Sequence, residues 1–409
     1  MADEKDKKRE GEVPIMECNG LTSAVLFMTA FLVTGLANAG ESSKDKADGK
    51  IALPDAAKAG HRDFEHTTLG GSVHIEHAAF LGAVDSLDGP AREAMHRGIF
   101  AVTGDGAGNL YFYEHSSNCI RALRKRDGRI FTLSGNRYIA SGRPGKGGMA
   151  DSLKLFHECF ITMPSMAAVG NPLEGDGSLY VTDDSCAVVR LWRDKGVWRY
   201  ELAAGLGKGK PADGAMATEI GFSRSALVAT EKGEIGLIAG TQKSAALYWL
   251  RGGKLHAAYD HAAVEKELGT TFYCRGIDVN GSFAGAAGGE YTGAQNCIAV
   301  VSPDGKRVRK VPTPYAPQWT ICADAKSERW FFRACDDYSI QYADSAGGCF
   351  RLLRDGTWKP LTGKVGNRGS NEGLNWSRGI TLPDGRYAGW SGHGCSPVFT
   401  ATWLDKGGK

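Results

Sequence analysis

The chain has 409 residues, of which 56 are glycine, 42% are hydrophobic and 9% are aromatic, and its formal net charge at pH 7 is only +3. The hydrophobic share is enough for a packed core, and the weak net charge argues against a nucleic-acid-binding surface. Abundant glycine and aromatic residues favour a protein built from many short strands that are separated by turns.

The first 39 residues are predicted to be a signal peptide. Residues 21–37 are apolar and uncharged, and residues 37–39 read Ala-Asn-Ala, which fits a small-residue cleavage site. Residues 1–15 carry acidic and basic side chains that are unusual in such a signal, so we interpret Met16 as the true start. Cleavage predicts a secreted or periplasmic protein. An uncleaved segment would instead anchor the chain, since about 20 apolar residues can span a bilayer.

Residues 40–72 are polar and rich in Lys, Asp and Ser, which is typical of a linker. Residues 73–81 have strand character and lead into the loop Asp88-Gly89-Pro90-Ala91, although no strands of their own precede them. The residues after Arg378 supply only three strands. We therefore predict that residues 73–81 add the fourth strand to the last sheet, which would protect an otherwise open edge.

One hairpin pattern occurs twice. Residues 108–114 (GNLYFYE) resemble residues 177–183 (GSLYVTD), and in both copies an arginine follows the acidic residue by seven positions. Each copy predicts two antiparallel strands joined by a polar turn. Because acid and arginine recur at fixed positions on adjacent strands, we expect structural ion pairs, namely Glu114 with Arg121 and Asp183 with Arg190.

A second pattern opens each repeat. The tripeptide Arg-Gly-Ile occurs three times, and comparable strand starts lie between its copies at a spacing of roughly 45–65 residues, which suits a four-stranded unit with loop insertions. The six strand starts lie at Arg97, His157, Arg224, Arg275, Trp319 and Arg378.

These patterns together resemble the NHL repeat, in which an Arg-Gly-Ile-like strand start is followed by an Asn-Leu-Tyr-Val-like strand, an acidic residue and an arginine. The resemblance covers residues 73–409 and is clearest in the first two repeats; the third has Gly240 near the acidic position, and the fifth has Gln341 at the arginine position. It implies an all-β fold, a six-bladed β-propeller of four-stranded antiparallel blades that is closed by an N-terminal strand. Such propellers carry many unrelated functions, so the resemblance implies little about activity.

In a propeller the innermost strands line a central channel. The strand-start arginines would then converge at one mouth, with His157 beside them, and would favour a carboxylate or phosphate ligand. The alternative is that these arginines belong to the repeat consensus and pack against neighbouring blades. His393 lies between two glycines on a predicted loop, where a histidine could act as a base or a metal ligand. The arginines concerned are Arg97, Arg224, Arg275 and Arg378.

Motifs of high catalytic specificity are missing from the sequence, which lacks Gly-x-Ser-x-Gly, His-Glu-x-x-His and Cys-x-x-Cys. We therefore expect an exported binding or scaffold module whose partner is a protein, a glycan or a small anionic ligand. Nucleic acid is not expected, and a membrane only if the signal segment stays uncleaved.

The alternative function is a metal-dependent propeller enzyme, similar to the gluconolactonase-like hydrolases or the peptidyl-hydroxyglycine amidating lyases, with a divalent cation such as calcium in the channel. The sequence offers no matching ligand set, so it leans away from an enzyme. Of the 10 cysteines, only Cys18 precedes the predicted cleavage site. One or two disulfides are plausible in an oxidising compartment, and Cys335 with Cys349 could bridge one hairpin.

Overall fold

The structure is a computed structural model. It describes residues 73–79, 88–91, 94, 99–114, 117–135, 141–156, 165–230, 232–241, 243–277, 281–288, 297–312, 317–324, 329–334, 349–352, 358–362, 379–381, 387–390 and 398–403. Side chains are described between residues 88 and 312 of these ranges, apart from Phe100 and Arg224. The predicted signal peptide and linker lie outside the described residues.

The described residues form 26 strands and one α-helix, and the strands group by sheet. The chain begins with β1 (Val73–Ala79). Blade one contains β2 (Gly89–Pro90), β3 (Ile99–Gly104), β4 (Leu110–Glu114), β5 (Cys119–Arg124) and β6 (Arg129–Ser134). Blade two contains β7 (Gly147–Met149), β8 (Met166–Val169), β9 (Ser178–Thr182), β10 (Val188–Asp194) and β11 (Val197–Ala204). Blade three contains β12 (Arg224–Ala229), β13 (Ile235–Gly240), β14 (Ala245–Arg251) and β15 (Lys254–Ala257).

Helix α1 (His261–Leu268) connects blade three to blade four. Blade four contains β16 (Phe272–Ile277), β17 (Phe283–Ala287), β18 (Cys297–Val301) and β19 (Val308–Pro312). Blade five contains β20 (Pro317–Asp324), β21 (Arg329–Ala334), β22 (Cys349–Leu352) and β23 (Trp358–Thr362). Blade six contains β24 (Gly379–Thr381), β25 (Tyr387–Trp390) and β26 (Val398–Trp403). Short 3-10 turns lie at Ala150–Ser152 and Ala217–Glu219.

Within each blade the strands pair antiparallel with their neighbours along the chain, except that the short strands β2 and β7 pair with the outermost strands β6 and β11. The innermost strands β3, β8, β12, β16, β20 and β24 contact each other in this order, and β24 contacts β3 to complete the ring. A single parallel bridge between Ala245 and Tyr273 joins the sheets of blades three and four. The chain therefore folds as a six-bladed β-propeller, as the sequence predicted.

The N-terminal strand closes the ring. Strand β1 pairs antiparallel with β26, with Val73 opposite Trp403 and Ala79 opposite Val398. Blade six thus gains its fourth strand from the beginning of the chain, which confirms the predicted closure. The pairing joins residues that are far apart in sequence and covers the outer edge of the last sheet, which would otherwise be free to pair with another chain.

The loops that lead into blades one and three share one role. The Asp88 carboxylate accepts a hydrogen bond from the Thr132 backbone N–H at 3.0 Å, and the Asp213 carboxylate accepts one from the Ala257 N–H at 2.9 Å. Both partners are 44 residues further along the chain. Each loop therefore folds over the outermost strand of its own blade, which explains why the Asp-Gly pattern recurs before these blades.

The core consists of layers between neighbouring blades. Inward-facing side chains of adjacent sheets interlock, and burial of each stabilises the fold by about 1.5–3 kcal/mol. The layers are represented by Tyr113 with Leu179 between blades one and two, Val188 with Leu237 between two and three, and Leu247 with Phe283 between three and four. Among the described residues, none of the helices is long and apolar enough to cross a membrane.

Candidate functional site

The Arg-Gly-Ile copies occupy different positions in their strands. Strand β3 begins at Ile99 and β24 at Gly379, so these two copies do open their innermost strands. Strand β16 instead begins at Phe272 and ends at Ile277, so Arg275 lies inside the strand. The prediction that Arg275 starts a strand is wrong, because hydrophobic Phe272 and the residue after it already pair with β17.

Arg275 is the extra residue of a β-bulge. Cys274 faces Gly285 and Gly276 faces Ala284, which leaves Arg275 without a facing residue on β17. Bulges redirect a side chain out of the regular alternation, and they occur often next to functional sites. The Arg275 guanidinium carbon lies 4.5 Å from the centre of the Tyr273 ring, a cation–π contact. The side chain is half-buried, so it is held in place while part of it stays in contact with solvent.

Arg224 lies close to the same level of the propeller. It is the first residue of β12 and faces Gly240, which faces Ala245, which in turn bridges to Tyr273. By this register Arg224 lies at the same height along the strands as Tyr273, and Tyr273 is two residues before Arg275 in β16. Strands β12 and β16 are neighbouring innermost strands in contact, so two of the four predicted arginines belong to adjacent innermost strands.

The other predicted ligand-binding residues lie outside the described residues. These are Arg97, Arg378, His157 and His393. Arg97 comes two residues before β3 and Arg378 immediately before β24, so both adjoin innermost strands.

Glu114 and Arg121 form a buried ion pair. Their carboxylate oxygen and guanidinium nitrogen are 2.7 Å apart, and neither side chain is exposed. The carboxylate also accepts the Ser117 hydroxyl at 2.7 Å, and Arg121 contacts Asp88 at 3.0 Å. Arg121 faces Phe112, two residues before Glu114, so acid and arginine share one face of the sheet. This network ties β4 and β5 to the loop that leads into blade one.

Asp183 and Arg190 are not partners in the structure, contrary to the prediction. Arg190 faces Tyr180, three residues before Asp183, and an odd separation puts the two side chains on opposite faces. Arg190 pairs instead with Glu201 of β11 at 3.0 Å, and both of these side chains are partly exposed.

Asp183 is instead a buried loop acceptor. Its carboxylate receives the backbone N–H groups of Phe156 at 2.9 Å and Ala187 at 3.1 Å, and the Ser185 hydroxyl at 2.6 Å. Burial raises the pKa of Asp183, and these hydrogen bonds oppose that effect. The acidic residue of the second repeat therefore accepts hydrogen bonds from loop residues and does not pair with an arginine on the adjacent strand.

A polar cluster that the sequence analysis did not identify lies where blades three and four meet. Ser244 Oγ is 2.9 Å from His261 Nε2, and it donates a hydrogen bond to Glu265 Oε1 at 2.8 Å. His261 Nε2 is 3.2 Å from the same carboxylate oxygen. His261 and Glu265 are four residues apart on α1, and burial lowers the pKa of His261. The His-x-x-x-Glu spacing after Asp260 is the signal that could have revealed the pair.

The described residues contain no group of three or more His, Cys, Asp or Glu side chains arranged to hold a metal ion. Four cysteines are buried within this part of the chain, namely Cys119, Cys186, Cys274 and Cys297. Burial raises the pKa of Cys119 to about 11 and that of Cys274 to about 12. The proposed Cys335–Cys349 bridge lies outside the described side chains.

The chain matches no protein-family model and no curated protein. Among solved structures it is similar to a structural genomics protein from Bacteroides thetaiotaomicron, at 11% identity over 81% of this chain and 76% of that one, with a TM-score of 0.47. It is also similar to streptogramin B lyase, at 15% identity over 81% and 98% of the two chains and a TM-score of 0.41.

A third similar structure is a catalytically inactive virginiamycin B lyase from Staphylococcus aureus with quinupristin, at 11% identity over 81% of this chain and 99% of that one, with a TM-score of 0.41. The fold assignment rests on the strand pairing and on the ring of innermost strands described above.

Proposed function

We propose that this protein is an exported binding module, a propeller of NHL-type repeats that captures an anionic group at one mouth of its channel. The ligand carries a carboxylate or a phosphate, whether on a small molecule, a glycan or a protein. The observation that carries the proposal is the placement of Arg275 in a bulge of the innermost strand β16, which neighbours the innermost strand β12 that begins at Arg224.

The chemistry of arginine supports this choice of ligand. A guanidinium group presents N–H donors in a planar fork that matches a carboxylate or phosphate, and it stays charged at all physiological pH values. The Tyr273 ring at 4.5 Å restricts the Arg275 side chain before any ligand arrives. Because less side-chain freedom is then lost on binding, a pre-oriented arginine binds an anion more tightly than a freely rotating one.

The remaining arginines extend the same site. Arg97 and Arg378 adjoin the innermost strands of blades one and six, and in a closed ring these strands meet around the channel. We propose that they approach the ligand from the side opposite to Arg224 and Arg275. A ring of positive charge would raise the local concentration of anions and speed their association, and this effect weakens as ionic strength rises.

Isothermal titration calorimetry tests the proposal directly. Citrate, glucuronate and inorganic phosphate are titrated into the wild-type protein and into the variants Arg224→Ala and Arg275→Ala. At least one anion should bind the wild type, and each variant should bind it about tenfold more weakly, since a charge-assisted hydrogen bond contributes roughly 1.5–3 kcal/mol. Binding that is equal in the wild type and in both variants would refute the proposal, as would the failure of all three anions.

The matched control is Arg199→Ala. Arg199 is partly exposed on β11, and its guanidinium pairs with Asp194 at 2.9 Å. This variant removes the same charge from the protein but not from the centre of the ring. It should therefore bind the anion as the wild type does, and an equal loss in this variant would mean that only overall charge matters.

A further inference from the structure

Positive charge is concentrated in the outer hairpin turns of blades one to four. Thirteen basic and three acidic residues occupy the 24 positions of these turns and their flanking residues, a net charge of +10, whereas the whole chain carries only +3. The remainder of the chain is therefore net acidic. We call these four segments the basic rim, and they are residues 124–129, 193–199, 251–254 and 304–310.

The charges of the basic rim face solvent. Lys125, Lys195 and Lys254 are exposed. Four arginines of the rim form ion pairs, namely Arg124 with Asp127, Arg126 with Glu174, Arg199 with Asp194 and Arg251 with Glu234. Of these acids, only Glu174 and Glu234 lie outside the rim, so counting them reduces its excess of positive charges from ten to eight. The rim therefore stays strongly cationic.

The basic rim lies at the ends of the blades that are remote from the proposed anion site. In blade one the innermost strand starts level with the turn between β4 and β5, and the outer hairpin turn lies at the other end of β5. The same up-and-down strand order holds in the next three blades. Arg126 is 3.3 Å from Glu174, and Arg193 donates to the Leu173 carbonyl oxygen at 3.1 Å. Both partners lie in the turn that follows the innermost strand β8, which confirms this placement.

Three large apolar side chains are exposed among the described residues, and all three lie beside the basic rim. Met149 is 41% exposed, and Val197 and Met216 are each 42% exposed. Val197 is part of the turn of blade two, and Met149 faces Arg199 across β7 and β11. Met216 forms a β-bridge with Lys254 in the turn of blade three. Apolar side chains that project among Lys and Arg are typical of surfaces that contact the headgroup region of a bilayer.

We propose that the basic rim and its three apolar neighbours form a docking surface for an anionic lipid bilayer. The Lys and Arg side chains bind the lipid phosphates, and each basic residue near an anionic membrane strengthens binding about fivefold. The apolar side chains enter the boundary between headgroups and acyl chains. Turns from four consecutive blades present charge at the same end of the propeller, which suits an extended surface better than a compact ligand. The docked protein keeps its channel mouth turned away from the membrane.

Co-sedimentation of the full chain with vesicles of phosphatidylcholine, with and without phosphatidylglycerol, tests this surface. The readout is the difference between the two vesicles, because the apolar segment of residues 21–37 enters both alike. The wild type should bind the anionic vesicles at least fivefold more tightly, and Lys195→Glu should lose at least fivefold of that affinity. The control is Lys243→Glu, which makes the same charge change at an exposed residue between β13 and β14, at the mouth end of blade three. Equal binding in all three proteins, or to both vesicles, would overturn the proposal.

A second variant separates a membrane from a soluble acidic polymer. Met149→Gln combined with Val197→Thr keeps the charge and the approximate shape of two exposed side chains. It should bind the anionic vesicles severalfold more weakly and bind heparin, a soluble polyanion, as the wild type does. Unchanged affinity for the vesicles would overturn the proposal in favour of a polyanion. Arg275→Ala should bind the vesicles as the wild type does, so loss of anion binding at the mouth and loss of membrane docking are distinguishable.

Discussion

The carboxylate of Glu114 lies 2.7 Å from the guanidinium of Arg121, and both side chains are completely buried. We predict that Arg121→Met lowers the free energy of unfolding by about 3–5 kcal/mol, because it leaves a buried carboxylate without its counter-charge. Urea denaturation followed by tryptophan fluorescence measures the loss.

The control for this prediction comes from the second repeat. Arg190 occupies the same sequence position, but its pair with Glu201 is partly exposed. Arg190→Met should lower the free energy of unfolding by only about 1 kcal/mol or less, since water weakens exposed ion pairs. Similar losses in the two variants would show that burial does not set the strength of the first pair.

Deletion of residues 73–81 should destabilise the protein by several kcal/mol, since the outer strand of blade six would lose β1 as its partner. Thermal unfolding should show a lower midpoint or a separate early transition. A deletion of residues 52–60, which removes the same number of residues before β1, should leave the midpoint unchanged. An unaltered midpoint after deletion of β1 would contradict the closure.

Gly135 should be intolerant of a side chain. Its φ is +80°, and a Cβ there would lie 2.1 Å from the Asn118 carbonyl oxygen. Strain and overlap together predict a loss of about 2–4 kcal/mol for Gly135→Ala in urea denaturation. Gly106→Ala is the control, because a Cβ at Gly106 would meet no atom within 4 Å. A loss at Gly135 no larger than at Gly106 would be inconsistent with this backbone geometry.

Cys119 and Cys274 should resist alkylation in the native protein. Burial raises their pKa values to about 11 and about 12, so at pH 8 only about one thiol in a thousand of Cys119, and fewer of Cys274, carries the reactive thiolate. Iodoacetamide labelling followed by peptide mass spectrometry should find both thiols unmodified at pH 8 and fully labelled in urea. Rapid native labelling of either would contradict their burial.

The sequence predicted the features that depend on repetition. A sixth repeat with only three strands implied that another segment completes it, and residues 73–79 do so. The acidic residue and arginine of the first repeat also followed from their spacing and contact each other. These inferences succeeded because each needs only the order of the strands and the alternation of side chains along them.

The details that depend on register were not predictable. Asp183 and Arg190 do not pair because Arg190 faces a residue three positions before Asp183, whereas Arg121 faces a residue two positions before Glu114. The spacing of the motif is the same in both repeats and does not reveal this difference in register. The Arg-Gly-Ile copy at Arg275 lies inside its strand because the residues from Phe272 onward already pair with β17. The cluster around Ser244 unites a hairpin loop with a helix 17 residues further on, and only the packing of α1 brings them together.

The most direct test of the central claim is arginine-specific labelling with phenylglyoxal, in the absence and presence of the anion that binds most tightly in calorimetry. Mass spectrometry would follow the modification of Arg275 and, as an exposed reference, Arg199. We predict that saturating anion slows the labelling of Arg275 at least severalfold and leaves Arg199 unaffected. Equal labelling of Arg275 with and without the anion would contradict a ligand site at the centre of the ring.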